Sequence, residues 1–165
     1  MFLPPRKLSK KGAEFIARYE GFVPYPYNDA AGHATIGYGH LLHHGPVTDA
    51  DRKHWGRITR EEGLALLRKD AQTAADAIYR LVRPRIMSQS RFDALVSFVY
   101  NVGVGAFEKS TLLKRLNSGR ARTGAHAEFL KWDKAGGRIL VGLQRRRTAE
   151  ARLFATGEYY DGGIV

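Results

Sequence analysis

The residues of this sequence best placed to do chemistry lie in EGFVPYPYNDAAGHATIGYGH, Glu20 to His40. The stretch sets two carboxylates, Glu20 and Asp29, beside the hydroxyl of Thr35 and the imidazole of His40, among glycines, prolines and tyrosines. Glu20 falls at the end of a helical pattern, where the negative end of the helix dipole disfavours a charged carboxylate. Burial beside Tyr19 or Phe22 acts in the same direction. A carboxyl that keeps its proton near neutral pH can serve as a general acid. Asp29 instead opens a glycine-containing turn, with backbone donors and solvent nearby, and should stay ionised. A hairpin around Gly32 returns the Thr35 hydroxyl towards Asp29, and the two could hold one water. Two carboxyls in contrasting environments are the acid and base of glycoside hydrolysis. An ordinary account also exists: Asp before a glycine turn serves turn chemistry, and Glu in a last helical turn is common on surfaces.

The elements that must position these groups can be read from periodicity and punctuation. Ser9 is a candidate N-cap, Ala13, Phe15, Ile16 and Tyr19 follow at helical spacing, and Gly21 is a stop. From Tyr25 to Leu42 the helical period vanishes, and β-prone residues between turn formers predict a small hairpin or meander. Residues 43–57 read as loop or irregular structure. Thr59 and Glu62 have capping-box spacing, and apolar residues then recur as far as Leu81 before Pro84. That predicts one helix over 60–82, roughly 30 Å long. Residues 88–102 are apolar on more than one side and predict a central buried helix. Ser110, Thr123 and Leu143 each begin a further helical pattern, the last ending at Gly157.

The implied fold class is α+β, mostly α, with a small N-terminal β lobe joined by a long helix to a C-terminal helical bundle. Two lobes imply a cleft between them, a favoured ligand site. Residues 1–8 read as a loose leader, 9–157 as a single domain and 158–165 as a tail. Within the domain, 9–19 is the first helix, 22–58 the β and loop lobe, 60–82 the connecting helix and 88–157 the helical lobe.

Composition narrows the function classes. A chain of 165 residues with a 44% apolar fraction can bury one real core. It has no cysteine, which excludes disulfides, thiolate metal sites and a cysteine nucleophile. No apolar run of about 18 residues reads as a membrane span, and the first residues lack the apolar core of a secretory signal. A net charge of +11 favours polyanionic partners, nucleic acid or an anionic bacterial envelope surface.

Three separated motifs resemble the phage-type lysozymes (endolysins), glycoside hydrolase family 24. In that family a catalytic Glu is followed by eight residues, an Asp or Cys, five residues and a Thr, which is the spacing of Glu20, Asp29 and Thr35. TIGYGH, Thr35 to His40, is similar to the block that follows. ALVSFVYNVGVGAFEKSTLLKRLN, Ala94 to Asn117, resembles the family's central helix and the turn after it. FLKWDKAGGRILVGLQRRRTAEARLFATG, Phe129 to Gly157, resembles its C-terminal signature.

The resemblance implies a lysozyme-like fold and a peptidoglycan hydrolase that cleaves the β-1,4 bond between N-acetylmuramic acid and N-acetylglucosamine. Glu20 would be the general acid, and Asp29 and Thr35 would position or activate the attacking water, with inversion as the family's usual reading. His40 would pair with an acid on the long helix in a structural role, Asp70 first and Asp76 second. Leu41, Tyr100 and Ser110 match positions that touch sugar, although the first two could be core and Ser110 an N-cap. Arg145, Arg146 and Arg147 read as a solvated basic face, some pairing with acids such as Glu150. The resemblance implies bacterial peptidoglycan as partner, no nucleic acid, a monomer, and residence in the host cytoplasm until a holin gives access to the wall.

Several rivals remain to be separated. His40, His43, His44 and His54 invite a metal site, but loop histidines more commonly face solvent, and no metal or other cofactor is expected. A nucleic-acid binder would leave Glu20, Asp29 and Thr35 unexplained. A lytic transglycosylase would use one Glu and leave an anhydro end. A wall-binding module without activity would tolerate Glu20→Gln.

Overall fold

The computed structural model describes residues 6–83, 87–118 and 124–159. The chain divides into two compact units, one of residues 13–70 and one that combines residues up to 12 with residues from 71 onward.

In the first of these, helix α1 (Lys10–Glu20) buries Ala13, Phe15 and Ile16. Strands β1 (Val23–Asn28), β2 (Ala34–Gly37) and β3 (His40–His43) form an antiparallel sheet in the order β1-β2-β3. Pro24 and Pro26 sit on an edge strand, where a missing N–H is tolerated. The central strand β2 is buried at all four positions. Register sets Tyr27 opposite Thr35, and Thr35 opposite Leu41. The turn from Asp29 to His33 therefore joins β1 to β2, with Gly32 at a φ of 81° that L side chains disfavour.

Residues 43–57 are not the irregular segment the sequence suggested. Helix α2 spans Asp49–Trp55 and begins in a capping box between Thr48 and Asp51. It buries none of its residues, so the apolar period that betrays most helices is absent. Helix α3 (Arg60–Asp70) starts at the Thr59 and Glu62 capping box, with Thr59 N donating to Glu62 Oε2 at 2.6 Å and Glu62 N donating to Thr59 Oγ1 at 3.1 Å. Gly63 is required inside it, because a Cβ there would lie 2.8 Å from Phe22 Cε2.

In the other unit, the single helix expected over 60–82 resumes only as α4 (Gln72–Leu81), after a turn at Ala71 whose ψ of −8° interrupts the helical ladder. Helix α5 (Gln89–Val102) is capped by Ser88, and its residues from Phe92 to Val99 are all buried. Then follow α6 (Val104–Glu108), α7 (Thr111–Asn117) and α8 (Ala125–Phe129). Thr123, expected as a cap, lies outside the described residues. A second small hairpin, β4 (Lys134–Ala135) with β5 (Arg138–Ile139), turns on Gly136 and Gly137, both at positive φ. The sequence reading held only the N-terminal β region; strands of two exposed residues carry no alternation to detect. Helix α9 (Val141–Thr156) ends at Gly157.

Two further expectations change here. Residues 6–8 are not loose: Leu8 is buried, and Gln89 Nε2 donates to the Lys7 carbonyl at 3.0 Å. Buried Asp93 accepts Ser9 N at 3.1 Å and the Tyr159 hydroxyl at 2.7 Å. Arg146 and Arg147 do pair with Glu150, as the resemblance implies, but not on a solvated face, for both are buried around its fully enclosed carboxylate. Arg147 stacks 5.0 Å from the Phe98 ring, and its Nε donates to the Trp132 carbonyl at 3.0 Å. Arg145 is exposed.

Candidate active site

Glu20, Asp29 and Thr35 all belong to the unit of residues 13–70. Glu20 is the last residue of α1 and is half-exposed. Asp29 follows β1, and its carboxylate is held by the turn that it opens. Asp29 Oδ1 accepts the backbone N–H of Ala31 at 2.9 Å and of His33 at 2.9 Å. These donors, His33 foremost, hold the carboxyl below its ordinary range, the effect that hydrogen bonding to the charged form has. Asp29 Oδ2 has no protein partner among the described residues. One oxygen is therefore anchored and the other is open.

Thr35 is only 2% exposed. Its Oγ1 donates to the His33 carbonyl at 3.0 Å, and Asp29 N donates to the same oxygen at 2.9 Å. The threonine proton is thus committed, which leaves lone pairs that can accept a hydrogen bond from water. His33 itself was not singled out in the sequence. Its Nδ1 accepts Gly45 N at 3.0 Å, so the neutral ring carries its proton on Nε2. Burial and the neighbouring Asp29 charge raise the pKa of Tyr27.

His40 Nδ1 lies 2.9 Å from Asp70 Oδ2 and 3.0 Å from Oδ1, linking β3 to the end of α3. Asp76 is engaged elsewhere, accepting Gln72 Nε2 at 2.7 Å. His43 Nε2 meets Asp51 Oδ2 at 2.8 Å. Among the described residues no group of three or more histidines and acids is arranged to hold a metal ion. Leu41 is exposed on β3. In the other unit Tyr100 is half-buried on α5. Ser110 is buried, donating to the Phe107 carbonyl at 2.7 Å and accepting Leu113 N at 3.0 Å, which occupies its hydroxyl as a helix cap.

Among the described residues no helix is long and apolar enough to cross a membrane. The sequence pattern of the family described as phage lysozyme matches residues 17–150. An endolysin of Acyrthosiphon pisum secondary endosymbiont phage 1 is 43% identical over 152 residues, covering 89% of this chain and 97% of the relative. An endolysin of Bacillus phage B103 is 41% identical over 153 residues, covering 92% of this chain. The chain spans about half the length of that second relative, 55%. A solved muramidase domain of SpmX from Asticaccaulis excentricus superposes with a TM-score of 0.74 at 36% identity, covering 92% of this chain and 99% of the domain.

Proposed function

The chain belongs to the phage lysozyme family, and on that premise we propose that it is a muramidase. It hydrolyses the β-1,4 bond between N-acetylmuramic acid and N-acetylglucosamine in bacterial peptidoglycan. The observation that carries this reading is the Asp29 carboxylate, with one oxygen fixed by backbone donors and the other open. That is the arrangement a water-activating base needs, nine residues after a carboxyl at a helix end.

In the proposed step the water oxygen bonds to the anomeric carbon and the glycosidic C–O bond breaks. The leaving oxygen takes the Glu20 proton, and the water gives its proton to Asp29 Oδ2. Thr35 Oγ1 accepts the water's second hydrogen and fixes its direction. Attack from the face opposite the leaving group inverts the anomeric centre, a geometry that needs carboxyls roughly 6.5–9.5 Å apart. Residues 9–157 form the catalytic domain in this reading, with the tail after 157 outside the chemistry. Leu41 and Tyr100 offer apolar and aromatic surface to sugar, whereas the hydroxyl of Ser110 supports its own helix. The protein works as a monomer without a cofactor, and a holin gives it access from the host cytoplasm to the wall.

The test is digestion of purified peptidoglycan followed by mass spectrometry of the fragments. The wild type should release reducing muramic ends, and Glu20→Gln should lose roughly 10²- to 10⁴-fold in rate, the usual contribution of general acid–base catalysis, with its melting temperature retained. Anhydro ends would show a lytic transglycosylase instead. Binding without any new reducing end would show a wall-binding module.

A further inference from the structure

Close to Glu20 in the chain, the unit of residues 13–70 holds a pocket of about 420 Å³ lined by Phe22, Pro24, Arg57, Ile58, Thr59 and Arg60. That volume lies in the range of small-ligand sites. Phe22 is two residues beyond Glu20, so their Cα atoms are at most about 7 Å apart, from a fully extended span of about 3.6 Å per residue.

Arg57 and Arg60 give the pocket its character. Arg57 Nη1 donates to the Tyr25 hydroxyl at 3.1 Å, and its guanidinium lies 5.7 Å from that ring centre. Arg60 Nη1 donates to the Tyr38 hydroxyl at 3.4 Å, and its guanidinium lies 4.9 Å from the Phe22 ring centre. Both are exposed, and among the described residues neither has a carboxylate partner. A guanidinium has five N–H donors in a planar fork. Each arginine is therefore steadied by an aromatic ring while most of its fork stays unused. Such forks match a carboxylate or a phosphate in bidentate fashion.

We propose that this pocket is a subsite for the free carboxylates of the peptide stem borne by N-acetylmuramic acid. The assignment rests on the muramidase reading above. A stem peptide suits the lining in two ways: its carboxylates meet Arg57 and Arg60, and its methyl and methylene groups cover Phe22, Pro24 and Ile58. A polyol phosphate chain supplies the charge but nothing apolar for that surface. The stem leaves the sugar that Glu20 would act on, so a site beginning two residues from Glu20 is within its reach. The arginines thereby convert the general attraction of a basic protein for the wall into recognition of stem-bearing glycan.

The experiment is equilibrium binding by calorimetry to a purified disaccharide carrying a tetrapeptide stem, and to the same disaccharide with its stem removed. The stem should improve Kd by about tenfold, as expected of charge-assisted bidentate contacts. In the Arg57→Ala/Arg60→Ala double variant that advantage should disappear while affinity for the stem-free sugar stays within about twofold. Arg57→Lys/Arg60→Lys keeps the charge without the forks and should retain only part of the advantage. A stem that makes no difference to the wild type, or an advantage that survives the double alanine variant, overturns the proposal. So does tighter, arginine-dependent binding of a teichoic-acid-type polyphosphate, which would reassign the pocket to phosphate. Binding does not require turnover, so a chain that recognises the stem yet releases no reducing ends would refute the muramidase reading and leave the subsite standing.

Discussion

Asp29 and His33 close on each other twice across the β1–β2 turn. The His33 N–H donates to Asp29 Oδ1 at 2.9 Å, and the Asp29 N–H donates to the His33 carbonyl at 2.9 Å. The pair fixes the carboxylate and depresses its pKa in one arrangement. Protonation costs activity only where the folded carboxyl titrates, below the ordinary value of about 3.9. If Asp29 is the base, its limb of the kcat/KM profile therefore lies below about pH 4, and any loss at higher pH belongs to another group. The sign for stability is the same. The contribution of Asp29 is present above its unfolded pKa and fades as pH falls through the folded one. Gly32→Ala strains this turn at a φ of 81° and should move the acid limb upward. An unmoved limb in a folded Gly32→Ala protein would remove Asp29 from the profile.

Thr35 shares the His33 carbonyl with Asp29, which separates its hydroxyl from its methyl group experimentally. Thr35→Val keeps the β-branched shape that suits the buried central strand but removes the hydroxyl. Loss of that hydrogen bond should cost about 1 kcal/mol of stability. Activity should fall at least about tenfold if the hydroxyl also directs the water, while Thr35→Ser should stay near wild type. Equal rates for the valine and serine variants would confine Thr35 to packing.

How much of this was legible depended on which signal each element leaves in the chain. The central helix α5 was read from its residues because Phe92 to Val99 are buried all round. The α3 start was read because Thr59 and Glu62 carry the capping box in their types and spacing. Helix α2 carries a similar box at Thr48 and Asp51 but buries nothing, so its capping signal stood alone. For Arg146 and Arg147 the pairing with Glu150 on the same helix is an expectation that holds, but residue types and spacing do not say that the whole cluster is buried. The residues of the candidate site were visible as types at a spacing. What spacing could not supply was that Asp29 keeps one oxygen open, because that follows from which backbone N–H groups the turn aims at the other.

His43 lies between two acceptors, the His44 carbonyl at 3.0 Å from Nδ1 and Asp51 Oδ2 at 2.8 Å from Nε2, so only the doubly protonated ring satisfies both. Its pKa is raised, chiefly by the Asp51 hydrogen bond. Asp51 is lowered to about 2, by Thr48 first and His43 next. The histidine contribution is full below its unfolded value of about 6.5 and is lost as pH rises through the folded value. The aspartate contribution is full above about 3.9 and is lost as pH falls towards about 2. Wild type should therefore exceed Asp51→Asn in melting temperature most between about pH 4 and 6.5, with the gap narrowing on both sides. Parallel curves for the two proteins would show that the pair does not couple to folding.

Glu150 is the residue whose loss the fold should tolerate least. It is fully buried, accepts Ser97 Oγ at 2.7 Å and Arg146 Nε at 3.1 Å, and pairs with the guanidinium of Arg147. Burial lowers the pKa of Arg147, and the charge of Glu150 is the largest effect opposing that shift. Glu150→Ala would remove this carboxylate from beside two buried guanidiniums, a change that typically costs about 3–5 kcal/mol. Arg145→Ala, one residue from the cluster but exposed, should stay within about 0.5 kcal/mol of wild type. Replacing Arg146, Arg147 and Glu150 together with apolar residues of similar size should recover much of the loss, because the penalty comes from stranded charge rather than from the absence of an ion pair. Urea unfolding followed by circular dichroism measures all three variants. A Glu150→Ala cost below about 1 kcal/mol would mean that water reaches the arginines and that the cluster is not the sealed one its burial describes.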